Sequence, residues 1–377
     1  MPTARRRHGG GDVAVDGLDV AAYSVPTETP EADGTLTWTS TTLVVVHAHA
    51  GKVSGLGYTY GAPATAQAVE GLLADVVVGR SAWDVAASNE AMSRAVRNAG
   101  RPGLIAYAIS AVDTALWDLK ARLLDLPLVR LLGAADHDVP VYGSGGFTTY
   151  DARRQDAQLR AWTEDQGFDR VKIKIGESWG GAERRDRDRM AAARRTIGDA
   201  AELYVDANGA YTRKQAVRLA GCLREHDVTW FEEPVSSDDL TGLAHVRAAV
   251  AADVTAGEYG YTLPYFEYML AAGAVDCLQA DATRCGGVTV WLKAAALAEA
   301  RGIQISSHCA PQVHAPLASA VPNLRHLEWF HDHVRVEELL FDGTLDPVGG
   351  TLRPGAAGAP GLGLTLRRQE AEPYRVA

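Results

Sequence analysis

The feature that most limits how this chain can fold is a repeated alternation of short strand-like and helix-like segments. From Val139 onward the strand candidates, in order, are VPVYGS, RVKIKIG, ELYVDAN, VTWFEEP, VTAGE, CLQAD, IQISSHC and LRHLEW. An amphipathic or charged helical stretch follows each of them except the last. Strands that alternate with helices pair in parallel, and eight of them favour a closed α/β barrel.

Ionisable side chains recur at or near the C-terminal end of seven successive strand candidates. Neighbouring members are about 20 to 32 residues apart, which is one strand and one helix each time. They are Lys174, Asp206, Glu232, Glu258, Asp281, His308 and Glu328. In a parallel barrel these strand ends meet at one face, where barrel enzymes keep their active sites. The recurrence of ionisable residues at the same point of successive strands therefore predicts one polar site at the mouth of a barrel.

Three of these residues suggest a metal site, because they are carboxylates from adjacent strands. Asp206, Glu232 and Glu258 would repel one another at close range unless a cation lay among them. Ligation by oxygen alone suits a hard divalent ion such as Mg²⁺. The alternative is that each carboxylate caps the helix after its strand. We expect a magnesium site.

The remaining strand-end residues suggest acid–base chemistry. Lys172 and Lys174 lie two residues apart, so both ammonium groups point to the same side of their strand. Repulsion between them and partial burial predict a lowered pKa for Lys174, which would let it act as a base. Asp281 on a neighbouring strand would raise the pKa of His308, a second base. Such bases suit removal of a proton α to a carboxylate, and Glu328, if protonated, would donate a hydrogen bond to the resulting enediolate.

The rest of the chain divides around this barrel. Residues 13–134 read as strands followed by helices, an α+β domain, with TLTWTSTTLVVVHAHA as the clearest β-rich stretch. We assign the barrel to residues 135–345. Residues 346–377 are rich in Gly and Pro and form a segment outside it, and residues 1–12 are predicted to be a disordered tail.

Composition limits the classes of partner that the protein can bind and the cellular compartment that it suits. A formal net charge of −10 over 377 residues argues against nucleic acid, which needs a broad basic surface. No apolar run is long enough for a membrane span. Four cysteines without metal-site spacing fit a reducing cytoplasm. The expected partner is a small-molecule hydroxy acid or sugar acid.

Taken together, the motifs resemble the enolase superfamily, mandelate racemase subgroup. They are KIK at 172–174, DAN at 206–208, EEP at 232–234, GE at 257–258, QADATRCGG at 279–287, SSHC at 306–309 and HLE at 326–328. The resemblance covers nearly the whole chain. It implies a modified TIM barrel, (β/α)7β, with an N-terminal α+β capping domain that the C-terminal segment completes. It also implies Mg²⁺ held by the three carboxylates, Lys174 as the base on one face, the Asp281–His308 dyad on the other, and a homo-oligomer.

The same resemblance points to residues that contact the substrate. Capping-domain loops near Trp38 and near Tyr58 are implied to close over it. Asn208 is either a turn residue or a polar group beside the metal. Arg284 holds either Asp281 or a ligand, and the sequence leaves this open.

The motifs also narrow the reaction. Muconate cycloisomerases and dipeptide epimerases carry a lysine where this chain has QADATRCGG, so the lysine pair and His308 favour acid-sugar dehydratases or mandelate-type racemases. We expect dehydration of a sugar acid to a 2-keto-3-deoxy acid. Racemisation or epimerisation of a 2-hydroxy acid is the first alternative. A non-catalytic metal-binding or regulatory barrel is the second, and the complete set of bases argues against it.

Overall fold

The N-terminal part of the protein is a three-stranded antiparallel sheet followed by helices. A computed structural model describes residues 13–377, and the predicted tail at 1–12 lies outside them. The strands pair in chain order and are β1 (Gly17–Ala32), β2 (Thr37–Ala50) and β3 (Val53–Tyr60). The helices are α1 (Ala64–Ala68), a π-helical turn (Val69–Leu73), α2 (Ala74–Val77), α3 (Val85–Ala95), α4 (Leu104–Leu123) and α5 (Leu128–Leu132).

Two glycines allow α4 to lie directly on β3. A Cβ atom at Gly57 would be 2.2 Å from the backbone oxygen of Ala111, and one at Gly55 would be 2.2 Å from the backbone nitrogen of Leu119. The apolar side of α4 thus packs against the sheet, which forms a core distinct from that of the barrel. This sheet-and-helix unit is the capping domain.

Eight parallel strands form the closed barrel that the sequence predicted. They are β4 (Val139–Gly145), β5 (Arg170–Lys174), β6 (Glu202–Asp206), β7 (Val228–Glu232), β8 (Asp253–Ala256), β9 (Cys277–Ala280), β10 (Gln304–Ser307) and β11 (Leu324–Phe330). Each strand pairs with the next, and β11 pairs with β4. Because the ring closes, all eight C-terminal strand ends face the same mouth.

Helices surround the barrel. They are α6 (Ala152–Arg160), a π-helical turn (Ala161–Asp165), α7 (Glu183–Ile197), α8 (Arg213–Arg218), α9 (Ala220–Glu225), α10 (Leu240–Arg247), α11 (Leu263–Ala271), α12 (Val288–Glu299), α13 (Pro311–Ser319) and α14 (His331–Leu340). The expectation that no helix follows the last strand was wrong, since α14 follows β11 directly. Val334, Val336 and Leu340 give it a buried side. Within residues 13–377 no helix is long and apolar enough to cross a membrane.

The C-terminal segment runs along the barrel and ends beside the cap. It contains β13 (Thr351–Leu352), β14 (Thr365–Leu366), α15 (Arg368–Ala371) and a 3₁₀ turn (Glu372–Tyr374), and β12 (Phe341–Asp342) precedes it directly after α14. Strand β13 pairs with β4, and β12 pairs with β14. The backbone N–H of Ala22 in β1 donates to the carbonyl oxygen of Ala377 (2.9 Å). The domain boundaries after residues 134 and 345 stay predictions.

Aromatic side chains fill the barrel interior below the mouth. Tyr142, Tyr204, Trp230 and His326 pack together, with neighbouring ring centroids 4.7 to 5.4 Å apart along the ring of four. Inward-facing positions alternate with outward-facing ones along each strand. Two positions beyond Tyr204 and Trp230 come Asp206 and Glu232, so the aromatic layer is the floor beneath the charged groups of the mouth.

Candidate active site

Three carboxylates from adjacent strands converge at the mouth, as the sequence predicted. Asp206 and Glu232 are the last residues of β6 and β7 and lie opposite each other in the strand register. Glu258 lies two residues beyond β8, after Gly257, whose φ is 134° and where a Cβ atom would be 1.9 Å from the oxygen of Gln279. One oxygen from each carboxylate lies within 4.8 Å of the others, and all three are buried. This buried all-oxygen set fits Mg²⁺.

Both lysines of β5 point into the same interior. The ammonium of Lys174 donates a hydrogen bond to Asp206. The ammonium of Lys172 lies 2.6 Å from Glu232 Oε1 and 2.7 Å from Glu328 Oε1. Lys172 is sealed from solvent and Lys174 is 5% exposed, at the floor of the cleft. The lysines therefore belong to the charged layer of the site.

The structure corrects the expected direction of the Lys174 pKa. Burial and repulsion by Lys172 do lower it, as expected, but attraction by Asp206, Glu328 and Glu258 opposes them. The balance raises the pKa above its ordinary value. A divalent cation held by the same carboxylates would compete with the lysines for that attraction and act in the opposite direction.

His308 and Asp281 form the predicted pair. They are the first residues beyond β10 and β9, and His308 Nδ1 lies 2.8 Å from Asp281 Oδ2. A carboxylate accepts hydrogen bonds, so Nδ1 is the donor and Nε2 is directed to Glu258, 3.3 Å away. Burial lowers the pKa of His308, but Glu258 and Asp281 outweigh it and the pKa is raised. The hydrogen bond from His308 helps hold the Asp281 pKa low despite burial.

Glu328 differs from the predicted hydrogen-bond donor. Its Oε1 accepts from Ser144 Oγ (2.6 Å) and lies against Lys172, while its Oε2 accepts from the backbone N–H of Cys309 (2.8 Å). Burial would raise the pKa of Glu328, but Lys172 and His308 lower it well below its usual range. Glu328 is thus an ionised acceptor that holds Lys172 in place.

Cys309 is a residue of this site that sequence reasoning missed. Its Sγ lies 3.2 Å from His308 Nε2, and burial raises the pKa of the thiol. Cys309 and Ala310 have φ angles of 48° and 40°, an uncommon pair of left-handed residues without glycine. The turn that they make directs the Cys309 N–H to Glu328. A single cysteine in SSHC offers no spacing pattern that could have revealed this contact.

Three of the four predicted substrate contacts line the cleft above the carboxylates. Trp38, near the start of β2, packs edge-on against Phe147 and lines the cleft from the cap side. Asn208 has a φ of 45°, and its N–H donates to Asp206 Oδ1 (2.9 Å), so it is both a turn residue and a neighbour of the cluster. Arg284 reaches both of its alternatives, Glu258 (3.4 Å) and Asp281 (3.5 Å).

Tyr58 is not brought to the cleft. It is fully buried in β3, where its hydroxyl donates to Glu337 Oε1 (2.6 Å) and its ring stacks on Phe341. Tyr60, two residues closer to the end of the strand, lines the cleft instead and stacks on His333. Tyr58 supports the wall behind the cleft.

The cleft has a volume of about 340 Å³ and lies between the cap and the barrel mouth. Lys174, Glu258 and His308 form its floor, and Trp38 and Tyr60 form its roof. An acid of a few carbons fits a space of this size. Of the predicted catalytic and metal-binding groups, Lys174, Glu258 and His308 therefore face one open cleft.

Fold and site together define a class: barrel proteins with an α+β cap and an acidic, metal-suited cluster at the mouth. Comparison with protein families gives the same class. The enolase C-terminal domain-like family matches residues 155–371, and the mandelate racemase / muconate lactonizing enzyme N-terminal domain matches residues 17–133. The chain belongs to the mandelate racemase subgroup of the enolase superfamily.

Three similar proteins illustrate the range of this family. A mandelate racemase/muconate lactonizing enzyme-like protein from Rubrobacter xylanophilus is 52% identical, with a TM-score of 0.92 over 96% of this chain and 100% of its own. A racemase from Streptomyces coelicolor, solved with bound magnesium, is 30% identical, with a TM-score of 0.89 over the same shares. L-Talarate/galactarate dehydratase from Salmonella typhimurium is 31% identical over 84% of this chain and 78% of its own.

Proposed function

We propose that this protein is a Mg²⁺-dependent dehydratase that converts a sugar acid to a 2-keto-3-deoxy acid. The observation that carries the proposal is the placement of two bases on either side of the carboxylate cluster. Lys174 contacts Asp206 at one side, and His308 approaches Glu258 at the other. Two bases around a site for a divalent ion suit removal of a proton next to a carboxylate. The dehydratase from Salmonella typhimurium supports the finer assignment.

Asp206, Glu232 and Glu258 would hold the ion. Bound Mg²⁺ supplies positive charge beside the substrate carboxylate, which lowers the free energy needed to remove the neighbouring proton. Lys172 pairs with Glu232 of the cluster and with Glu328 outside it, which keeps the charged floor ordered. Arg284 restrains Glu258 from the opposite side.

The protein's own groups account for the proton transfers. One of Lys174 and His308 takes the proton from C2, and the C2–H electrons form the enediolate. The hydroxyl on C3 then leaves with a proton from an acidic group, water is released, and the enol takes a proton at C3 to become the ketone. If His308 is the base, Asp281 and Glu258 stabilise the imidazolium that forms.

Racemisation is the second candidate, because bases on either side of one carbon are what it requires. The racemase from Streptomyces coelicolor supports it. In this case the second base returns a proton to C2, and no hydroxyl is lost. Loss of the C3 hydroxyl therefore separates the two candidates.

The test is to screen mono- and dicarboxylic sugar acids with Mg²⁺ in D₂O and to follow exchange at C2 and product by NMR. If His308 is the base, His308→Asn stops both exchange and dehydration. If His308 only protonates the leaving hydroxyl, exchange driven by Lys174 survives while dehydration stops. The same two outcomes distinguish the two roles of Lys174: Lys174→Ala stops both reactions if Lys174 is the base, and stops only dehydration if Lys174 protonates the leaving hydroxyl.

His245→Asn is the matched control, since His245 lies exposed on α10. It should change neither signal. Exchange and product that persist undiminished in both site variants would refute proton abstraction at this site. If the wild-type protein exchanges the hydrogen at C2 but releases no water, the dehydratase proposal fails and racemisation becomes the favoured function.

A further inference from the structure

A second cleft opens beside the active-site cleft and has no part in the chemistry described so far. It has a volume of about 590 Å³ and lies between the tip of the β1–β2 hairpin and the loops after β5 to β8. We call it the annex. Leu36, Asn208 and Tyr259 line both clefts, so the two volumes share a wall at the carboxylate cluster. A substrate held at the cluster could therefore extend into the annex.

Four of the fourteen residues that line the annex are aromatic. Trp179, Tyr259, Tyr261 and Tyr265 all contribute to it. The hydroxyl of Tyr265 donates to Ser237 O (2.7 Å), which fixes that ring in the wall. Aromatic faces carry partial negative charge and attract the C–H bonds of a sugar chain or ring.

Trp179 is held at the annex at an energetic cost. It is 67% exposed, and both it and Ser178 have a φ of 57°, a conformation that costs about 1 kcal/mol or more for such residues. Its backbone N–H donates to the backbone oxygen of Gly34 in the cap hairpin (2.9 Å). An exposed indole kept in a strained turn at the edge of a cleft points to a ligand-binding role.

Two buried oxygen atoms in the annex wall lack partners. Glu233 Oε1 and Asn208 Oδ1 accept no hydrogen bond from any residue in the described part of the chain. Glu233 is 1% exposed, and an unpaired buried acceptor costs free energy unless a ligand or water satisfies it. A hydroxyl group can donate to Asn208 Oδ1, whereas a second substrate carboxylate, which only accepts, cannot.

The charge of the annex is of one sign. Asp238 supplies that charge, because burial raises the pKa of Glu233 well above its usual range, and none of the residues that the structure places in the annex wall is Lys, Arg or His. Arg284, in the neighbouring cleft, is already held by Glu258 and Asp281. A distal carboxylate or phosphate in the annex would therefore meet repulsion without a counter-charge.

We propose that the annex binds the uncharged, hydroxyl-bearing distal part of the substrate, so that this enzyme prefers a sugar acid with one carboxylate to the corresponding diacid. This inference rests on the function proposed above. It assigns specificity to Trp179 and Asp238, which lie outside the floor of the active-site cleft.

The test compares a hexonic acid with the hexaric acid of the same configuration, because the pair differs only at the distal carbon. With wild-type protein and Mg²⁺, kcat/KM for the monoacid should exceed that for the diacid by about tenfold or more. The ratio should fall in Asp238→Asn and fall further in Asp238→Arg, through a lower KM for the diacid. Trp179→Ala should raise KM for the monoacid more than it lowers kcat.

Two control variants make the same kinds of change, a charge reversal and the removal of an exposed ring, at positions outside the annex. Asp199→Arg makes the same charge change in an exposed loop before β6, at the opposite end of the barrel. Tyr268→Ala removes an exposed ring on α11 that does not line the annex. Neither should change the ratio.

The proposal is overturned if the wild-type protein uses the diacid as well as the monoacid, or if Asp238→Arg changes the ratio no more than Asp199→Arg does. Failure of the underlying function is a different result. In that case no acid of either kind shows Mg²⁺-dependent exchange at C2.

Discussion

At the scale of single residues, Glu337 shows how the wall behind the active-site cleft is held. It is fully buried, and its Oε1 accepts from the hydroxyls of Tyr58 (2.6 Å) and Tyr60 (3.3 Å). Burial raises the pKa of Glu337 to about 8, and the two tyrosine hydrogen bonds only partly offset this. Glu337 is therefore protonated at neutral pH and links the buried Tyr58 to the cleft residue Tyr60.

The raised pKa of Glu337 predicts a pH-dependent stability. Between the ordinary value of 4.5 and about 8 the folded state binds more protons at this group than the unfolded state. The contribution is complete below the ordinary value and is lost as the pH rises through about 8. Glu337→Gln removes it, so the free energy of unfolding of the variant relative to wild type should rise with pH, by up to about 1.4 kcal/mol per pH unit.

Urea unfolding at several pH values across this window measures the effect. Glu70→Gln is the control, because Glu70 is exposed. A constant difference between Glu337→Gln and wild type at every pH would contradict the prediction.

Residue types at the strand ends were predictable, but distances along a strand were not. All seven ionisable positions lie at the mouth, because strand length places them at the strand ends and alternation along the strand sets the side on which they lie. Tyr58 and Tyr60 share one side of β3, and only Tyr60 reaches the cleft. The pattern gives the side of a strand, whereas the reach toward a ligand depends on how the cap sits on the barrel.

At the scale of secondary-structure elements, the β1–β2 hairpin tip joins the cap to the barrel. Gly34 in this tip lies so close to the ends of β5 and β6 that a Cβ atom would be 2.7 Å from the oxygen of Ile175 and 2.8 Å from that of Ala207. The tip carries Leu36, and Trp38 follows it at the start of β2. Its position therefore sets the height of the roof above the floor.

Gly34→Ala should lift this tip. Backbone oxygens of a packed barrel cannot move aside as a flexible side chain can, so the hairpin must shift, at a cost of about 1–3 kcal/mol. We expect KM to rise about tenfold with a smaller fall in kcat, as measured by steady-state kinetics. Gly17→Ala is the control, since no atom lies within 4 Å of a Cβ atom there. An unchanged KM in Gly34→Ala would mean that the tip does not shape the cleft.

Element order was predictable, but contacts between distant elements were not. Alternating strands and helices predicted β4 to β11 because local periodicity reports local structure. Gly34 lies close to Ile175 and Ala207, which are about 140 and about 170 residues further along the chain, and a single glycine in the sequence does not predict such contacts. Helix α14 was missed because its buried side includes Asp332 and Glu337, which weakens the apolar pattern.

At the scale of the whole molecule, the carboxylate cluster joins three successive parts of the barrel. Its members lie at or beyond the ends of β6, β7 and β8. An ion that binds all three stabilises the folded state, since the unfolded chain does not bring them together.

Addition of Mg²⁺ should therefore raise the melting temperature. At a concentration 100 times its dissociation constant the stabilisation is about 2.7 kcal/mol. Asp206→Asn should lose most of the shift, as measured by differential scanning fluorimetry with and without a chelator. Glu202→Gln, at the opposite end of β6, should retain it. An equal shift in both variants would place the ion elsewhere.

The burial of Lys172 has a consequence for how the barrel folds. Its ammonium on β5 pairs with Glu232 on β7 and with Glu328 on β11, and an unpaired charge in such an interior costs several kcal/mol. A half-barrel of β4 to β7 would leave Lys172 with one of these two partners, and one of β8 to β11 would leave Glu328 without a lysine. Ring closure and charge neutralisation are therefore one cooperative event, which disfavours stable half-folded intermediates.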